Sequence, residues 1–304
     1  MTLREAFQRG EELLTEAGIT DARLDAWYLL EHVSGVGRAM YYAMPDKILT
    51  EVQEKQYIDF LEKRAQRIPL QHLTGTQEFM GLEFRVNEHV LIPRQDTETL
   101  VEESIRFIRK YKEKSCGVSA GITGSSRREN EKAFRLLDMC TGSGCILLSI
   151  LHEIRKEKKL LIEGTGADVS EKALETAREN AESLHIRADF LHSDLFDRVE
   201  GNFQMIVSNP PYIRTDVIET LQEEVRQHDP LLALDGKEDG LYFYREIVDT
   251  ARRFLVSGGC LLFEIGADQG EAVQSMMCEA GYTHVAVKKD LAGLDRVVSG
   301  VYDE

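Results

Sequence analysis

The chain is poor in basic charge: 37 Lys and Arg stand against 53 Asp and Glu, leaving a net charge of −16 and disfavouring stable binding to nucleic acid phosphates. A basic protein partner suits such a surface better. No apolar run approaches the length needed to cross a bilayer, and Met1 to Gly10 carries Arg4, Glu5 and Arg9 instead of the apolar centre of a signal peptide. The five cysteines, Cys116, Cys140, Cys145, Cys260 and Cys278, include no C-x2-C pair, and the eight histidines are scattered singly. That spacing argues against a redox pair and against zinc, and no metal is expected. Internal repeats are lacking too. The expectation is a cytoplasmic protein with reduced thiols and no membrane association.

What is present falls into two patterns. Leu3, Ala6, Phe7, Gly10, Leu13, Leu14 and Ala17 share a helical face, with Thr2 and Glu5 in a capping-box arrangement. Asp21 is expected to cap a second helix that ends at Gly35 and Gly37, and Ala39 to Met44 reads as a short apolar segment. Thr50 is expected to cap a longer helix carrying Val52, Tyr57, Phe60, Leu61 and Ala65 before Pro69 stops it. Residues 1–73 thus read as a helical bundle. The apolar runs of residues 74–95, broken around Asn87 and Glu88, predict a linking β-hairpin. From residue 96 to 304 strands alternate with helices, as in an α/β domain with a mostly parallel sheet, interrupted by a surface insertion expected at 112–132.

Asn209-Pro210-Pro211-Tyr212 follows the apolar strand Phe203 to Ser208. Two prolines cannot continue a sheet ladder, so the chain must leave the sheet rigidly there. The Asn209 side chain and the Pro210 carbonyl then offer two acceptors above the sheet, and Tyr212 a flat face: a holder for the –NH2 of a planar group.

Leu136 to Cys145 reads as a strand turning through Cys140, Thr141, Gly142, Ser143 and Gly144 into a helix, which presents backbone N–H groups to a ligand. Leu147 stands where a dinucleotide fingerprint needs a small residue. Asp168, 24 residues after Gly144, is placed to accept from ribose hydroxyls. Asp194 is placed to accept from an adenine amino group, with Leu195 or Phe196 packing on the ring. The ligand reads as an adenosine without phosphates.

An adenosine site beside an amine holder is the layout of an S-adenosylmethionine-dependent N-methyltransferase. The chain resembles the HemK/PrmC family, the release factor glutamine N5-methyltransferases, along nearly its whole length. The likeness is carried by Asp21 to Ala26, Pro69 to Gly75, Val90 to Arg94, Asn209 to Ile213 and Asp290 to Arg296. The resemblance implies the class I methyltransferase fold, seven strands with the last antiparallel, and a bundle that helps grip the release factor. It also implies that Thr141, Gly142, Gly144, Asp168, Leu195 and Asn209 line the cofactor pocket. Asn209 to Tyr212 would hold the glutamine of the Gly-Gly-Gln loop in class 1 release factors, with S-adenosyl-L-homocysteine as product. Gln95 and Cys140 depart from the family pattern, which commonly has proline and glycine there. Arg94 and Glu98 are candidates for positioning the peptide. The competing reading is a nucleic-acid amino-methyltransferase acting on adenine N6, against which stand the acidic charge and the lack of a basic recognition domain.

Overall fold

The computed structural model describes residues 1–117, 133–157 and 160–303, which fall into two compact units. The first comprises Met1–Thr76 together with Leu221–His228. Its helices are α1 (Leu3–Glu16), α2 (Ala22–Ser34), α3 (Arg38–Ala43), α4 (Glu51–Ala65) and α5 (Leu70–Thr74). Capping boxes open α1, through Thr2 and Glu5, and α4, through Thr50 and Gln53, satisfying N–H groups that a helix start leaves bare. Leu3, Leu14, Leu29, Leu30, Tyr57 and Leu61 form the core. At its edge Arg64 reaches Asp25 at 2.7 Å and Glu224 at 2.9 Å, tying the inserted segment to α2 and α4.

One local expectation needs correcting in this unit, and two details are added by the structure. Asp21 stands at the start of α2 but makes no capping hydrogen bond, because its backbone lacks the extended conformation of the other two caps. Residues Ala39 to Met44 lie largely in α3, where Gly37 starts a short turn of helix. Val52 is 75% exposed, since the buried face of α4 is set by Tyr57 and Leu61.

The second unit, Gln77–Thr220 with Asp229–Glu304, is entered through a hairpin of β1 (Thr76–Phe79) and β2 (Leu82–Arg85). Its turn lies at Met80 and Gly81, both at positive φ, and not at Asn87 and Glu88. Residues 86–94 form no strand; Asn87 instead donates to Thr176 at 2.9 Å. A single 3-10 turn, Gln95–Thr97, leads into α6 (Glu98–Gly117). Of the expected 112–132 insertion, residues 112–117 are therefore helical, and 118–132 lie outside the described residues.

There follow β3 (Phe134–Met139), α7 (Cys145–Lys156), β4 (Ile162–Asp168), α8 (Glu171–Ser183), β5 (Asp189–His192) and β6 (Phe203–Ser208). Three short helices, α9 (Thr215–Ile218), α10 (Glu223–His228, in the first unit) and α11 (Leu231–Leu234), precede α12 (Tyr242–Ala251). The chain ends with β7 (Leu255–Glu264), α13 (Gly270–Glu279), β8 (Thr283–Lys289) and β9 (Asp295–Tyr302). The seven-stranded sheet has the order β5-β4-β3-β6-β7-β9-β8, parallel except for β9, which runs against both neighbours. That is the sheet the resemblance implies.

Apolar side chains alternate across it. Leu136, Val207 and Leu262 point to the α6 and α7 face, while Leu137, Ile206 and Phe263 point to the α12 and α13 face. Burial on both faces is what makes these strands continuous apolar runs. It also puts the carboxyl ends of β3, β4, β5 and β6 at one edge.

Candidate active site

A cavity, partly open to solvent, lies at that edge and within the second unit. Cys140, Thr141, Gly142, Ser143, Asp168, Asp194, Leu195, Asn209 and Pro211 line it. Four loops therefore converge as the alternation of strand and helix requires.

The glycine turn is built by its own hydrogen bonds. Gly142 and Gly144 have φ of 54° and 78°, and Gly144 donates to the Thr141 carbonyl at 2.8 Å. A side chain at Gly142 would meet nothing within 4 Å, so the cavity runs up to the backbone there. Gly144 does not line the cavity; it packs against Ala177 and Leu148, which lets α7 start close to the sheet. Thr141 donates to the buried Asp138 carboxyl at 2.6 Å, and Asn180 donates to the Ser143 carbonyl at 3.0 Å. Burial pushes Asp138 up to about 7, so it is largely a neutral acid below that pH. Cys140 occupies the left-handed region with φ of 61°, a strained position for a residue with a side chain. Desolvation also raises its thiol pKa, which disfavours the thiolate.

Asp168 accepts from Gly142 N and Ser170 N, each at 2.9 Å. Burial raises its pKa against the pull of these bonds. Its carboxylate thus shapes the glycine turn, and each oxygen keeps a lone pair for a ligand hydroxyl. Asp194 is exposed at the rim. Leu195 has its carbonyl fixed by Ser193 Oγ at 2.7 Å. Phe196 is turned the other way, stacked on Phe254 at 4.9 Å in the core, which leaves Leu195 as the apolar wall.

At the end of β6, Asn209 lines the cavity, and its side-chain amide has no hydrogen-bond partner among the described residues. An amide at a cavity wall with no protein partner is available to a ligand. Pro211 joins it in the wall, while Pro210 is buried and the side chain of Tyr212 packs partly against the α12 core. Burial pushes Tyr212 up to about 12.

The lip is braced by residues that carry no sequence signal of their own. Gln269 donates to the Tyr212 carbonyl at 3.0 Å, and accepts from Gly266 N at 2.9 Å. A Cβ on Gly236 would lie 2.7 Å from Tyr212 Cα, and one on Gly240 would lie 2.5 Å from the Tyr212 carbonyl oxygen. Ile213 exchanges backbone hydrogen bonds with Leu234 and Gly236 at 3.0 and 2.7 Å, which brings Pro230, Leu232 and Ala233 into the cavity wall. Phe243, Leu91, Pro93 and Thr97 also line it. Of the peptide-positioning candidates, Arg94 lines the cavity and is held by Asp229 at 3.0 Å. Glu98 is occupied by Met80 N at 2.8 Å.

Together the strand order, the reversed β9 and the glycine turn after β3 define a class I S-adenosylmethionine-dependent methyltransferase fold. The catalytic domain of hMettl16, solved with the MAT2A 3'UTR hairpin 6, shares that fold at 14% identity and a TM-score of 0.53, covering 81% of this chain and 83% of that one. Residues 5–75 match the family described as PrmC N-terminal domain, and residues 126–237 the methyltransferase small domain. Among the similar curated proteins are several that carry the name release factor glutamine methyltransferase. That of Caulobacter vibrioides is 40% identical over 304 residues, 99% of this chain and 96% of its own. That of Geobacter sulfurreducens is 36% identical over 300 residues, 98% of this chain and 96% of its own. The chain belongs to the release factor glutamine methyltransferase family.

Proposed function

We propose that the protein transfers a methyl group from S-adenosyl-L-methionine to the side-chain amide nitrogen, N5, of the glutamine in the Gly-Gly-Gln loop of class 1 peptide chain release factors. The observation that carries this reading is the unpartnered Asn209 amide in the wall of a cavity shared with the Gly142 turn, Asp168 and Leu195. The name carried by the relatives, release factor glutamine methyltransferase, supports the same substrate.

The residues present fit the cofactor. Asp168 has lone pairs left for the ribose, Leu195 is an apolar wall for the adenine, and the open space beside Gly142 admits the methionine portion up to the backbone. Bound there, S-adenosylmethionine supplies an electrophilic methyl group on a sulfonium.

An amide nitrogen is a poor nucleophile because its lone pair is delocalised into the carbonyl. Asn209 Oδ1 and the Pro210 carbonyl accept one N–H each, which favours rehybridisation and aims the nitrogen for in-line attack. Pro211 stands in the wall beside Asn209, while Tyr212, packed partly against the α12 core, holds the lip in place. After transfer the nitrogen is strongly acidic and releases its proton without a dedicated base. The helical unit supplies a second contact surface, since one loop is a small part of a specific protein interface. Incubation with labelled cofactor and a panel of release factors, DNA and RNA tests the assignment. Label on DNA or RNA at a comparable rate would favour the nucleic-acid reading instead.

A further inference from the structure

β8 and β9 join in a tip, Asp290-Leu291-Ala292-Gly293-Leu294, that is held rigidly. Asp290 N donates to the Leu294 carbonyl at 2.9 Å, and Leu294 N donates back to the Asp290 carboxylate at 3.0 Å. Gly293, at φ of 82°, closes the turn by donating to the Asp290 carbonyl at 3.1 Å. Beneath the tip the buried Arg296 guanidinium donates to Asp290 Oδ2 through two nitrogens at 3.0 and 3.1 Å, and to the Ile265 carbonyl at 3.3 Å. Charges on the arms are paired too, Lys289 with Asp295 at 2.7 Å and Lys288 with Glu103 at 3.5 Å. What this frame holds out to solvent is apolar: Leu291 is 99% exposed and Leu294 50%. Folding accounts for Asp290, Gly293 and Arg296, but it gives Leu291 no contact.

The tip stands at the edge where the cavity opens. β7 and β8 both run against β9, so the carboxyl end of β8 lies beside that of β7. Val297 already faces Glu264, the last residue of β7, and residues 290–294 therefore project past the end of that strand. Arg296 also pairs with Asp96 at 3.3 Å, in the turn whose Arg94 and Thr97 line the cavity. Three strand spacings, about 14 Å, separate β6, which carries the lip, from β8. One side of a standard protein interface, about 800 Å², reaches about 16 Å from its centre. A protein that lays a side chain on the lip thus has the tip within its footprint.

We infer that the β8–β9 tip is a docking contact for the body of the protein substrate, with Leu291 entering an apolar recess of the release factor outside the loop that carries the acceptor. The neighbouring charges are satisfied within the chain, so the contact is apolar at its centre and polar at its rim, as protein interfaces are. The inference rests on the reading of the acceptor as a release factor side chain.

The test is steady-state methylation of an intact class 1 release factor by the parent, Leu291→Ser and Leu291→Met. Leu291→Ser should raise KM by about tenfold or more, the loss of one buried leucine, with kcat changing by less than about twofold. Leu291→Met, which restores an apolar side chain of similar size, should keep KM near the parent value. A benzophenone label on Leu291→Cys should crosslink to the release factor on irradiation, at residues outside the Gly-Gly-Gln loop. Thermal midpoint and S-adenosylmethionine affinity should be unchanged in Leu291→Ser, because the parent side chain packs on nothing. A parent that methylates no release factor contradicts the functional reading and the inference with it. A methylating parent whose Leu291→Ser variant keeps the parent's KM overturns the inference alone. So does a parent dimer in solution that Leu291→Ser abolishes, which would assign the tip to a second copy of the chain.

Discussion

Asp168 Oδ2, at the end of β4, accepts the backbone N–H of Gly142 at 2.9 Å, so a carboxylate on one strand fixes the glycine turn that follows its neighbour. Its other oxygen takes Ser170 N at 2.9 Å, at the start of α8. Removing the carboxylate therefore loosens the turn as well as losing a ligand contact. Asp168→Ala should weaken S-adenosylmethionine binding by about 1.5–3 kcal/mol, roughly ten- to a hundredfold in Kd. Calorimetry reads this directly, and an unchanged affinity would remove Asp168 from the cofactor site.

Cys140 stands at φ of 61° where no glycine relieves the backbone. Cys140→Gly should stabilise the fold by about 0.5–1 kcal/mol, the relief of a left-handed conformation less the extra freedom glycine gains when unfolded. A denaturant midpoint that moves down would show that thiol packing outweighs the strain.

Gly236 permits the closest approach to the lip. In Gly236→Ala the new Cβ would meet Tyr212 Cα at 2.7 Å, backbone that cannot swing aside. Single-turnover methyl transfer should fall by tenfold or more, the order expected when reacting groups are misplaced by an ångström or less. Cofactor affinity, set on the opposite side of the cavity, should change by less than about threefold. Transfer at the parent rate would mean that the lip tolerates displacement.

Two buried carboxyls make stability depend on pH. Burial raises Asp138 and Glu264 to about 7, whereas in the unfolded chain each ionises near 4. Both keep their protons in the folded protein while the unfolded chain loses them. Stability is thus fully supported below about pH 4 and declines as pH rises to about 7, by on the order of 3 kcal/mol for each group. Asp239, held near 2 chiefly by hydrogen bonds from Arg245, has the opposite sense and matters only in stronger acid. Unfolding midpoints taken across that interval should fall with pH in the parent, and less steeply in Glu264→Gln. A flat parent profile would mean that both groups ionise without cost.

The elements that frame the site were legible because their signals are local. Apolar period, capping boxes at Thr2 and Thr50 and the glycines at 142 and 144 each act within a few residues of sequence. Asn209 and Pro211 were legible for the same reason, as consecutive prolines force a strand to stop. Three kinds of feature were not legible. Gln269 meets the lip, bonding the Tyr212 carbonyl, only through packing between distant segments, which no spacing encodes. Phe196 and Leu195 are adjacent, and nothing in their order tells which faces the core; the stacking on Phe254 decides it. The hairpin turns at Met80 and Gly81, both at positive φ, and Asn87 instead bonds Thr176 on α8, a partner 89 residues away in sequence.

The proposed activity stands or falls on one measurement: mass spectrometry of a class 1 release factor after incubation with the protein and S-adenosylmethionine. A single added methyl on the glutamine of the Gly-Gly-Gln loop is expected, formed by the parent and reduced by about a hundredfold or more in initial rate with Asn209→Ala, the loss typical of one preorganised transition-state contact. No methyl on any release factor, or an equal rate from a folded Asn209→Ala variant, would contradict it.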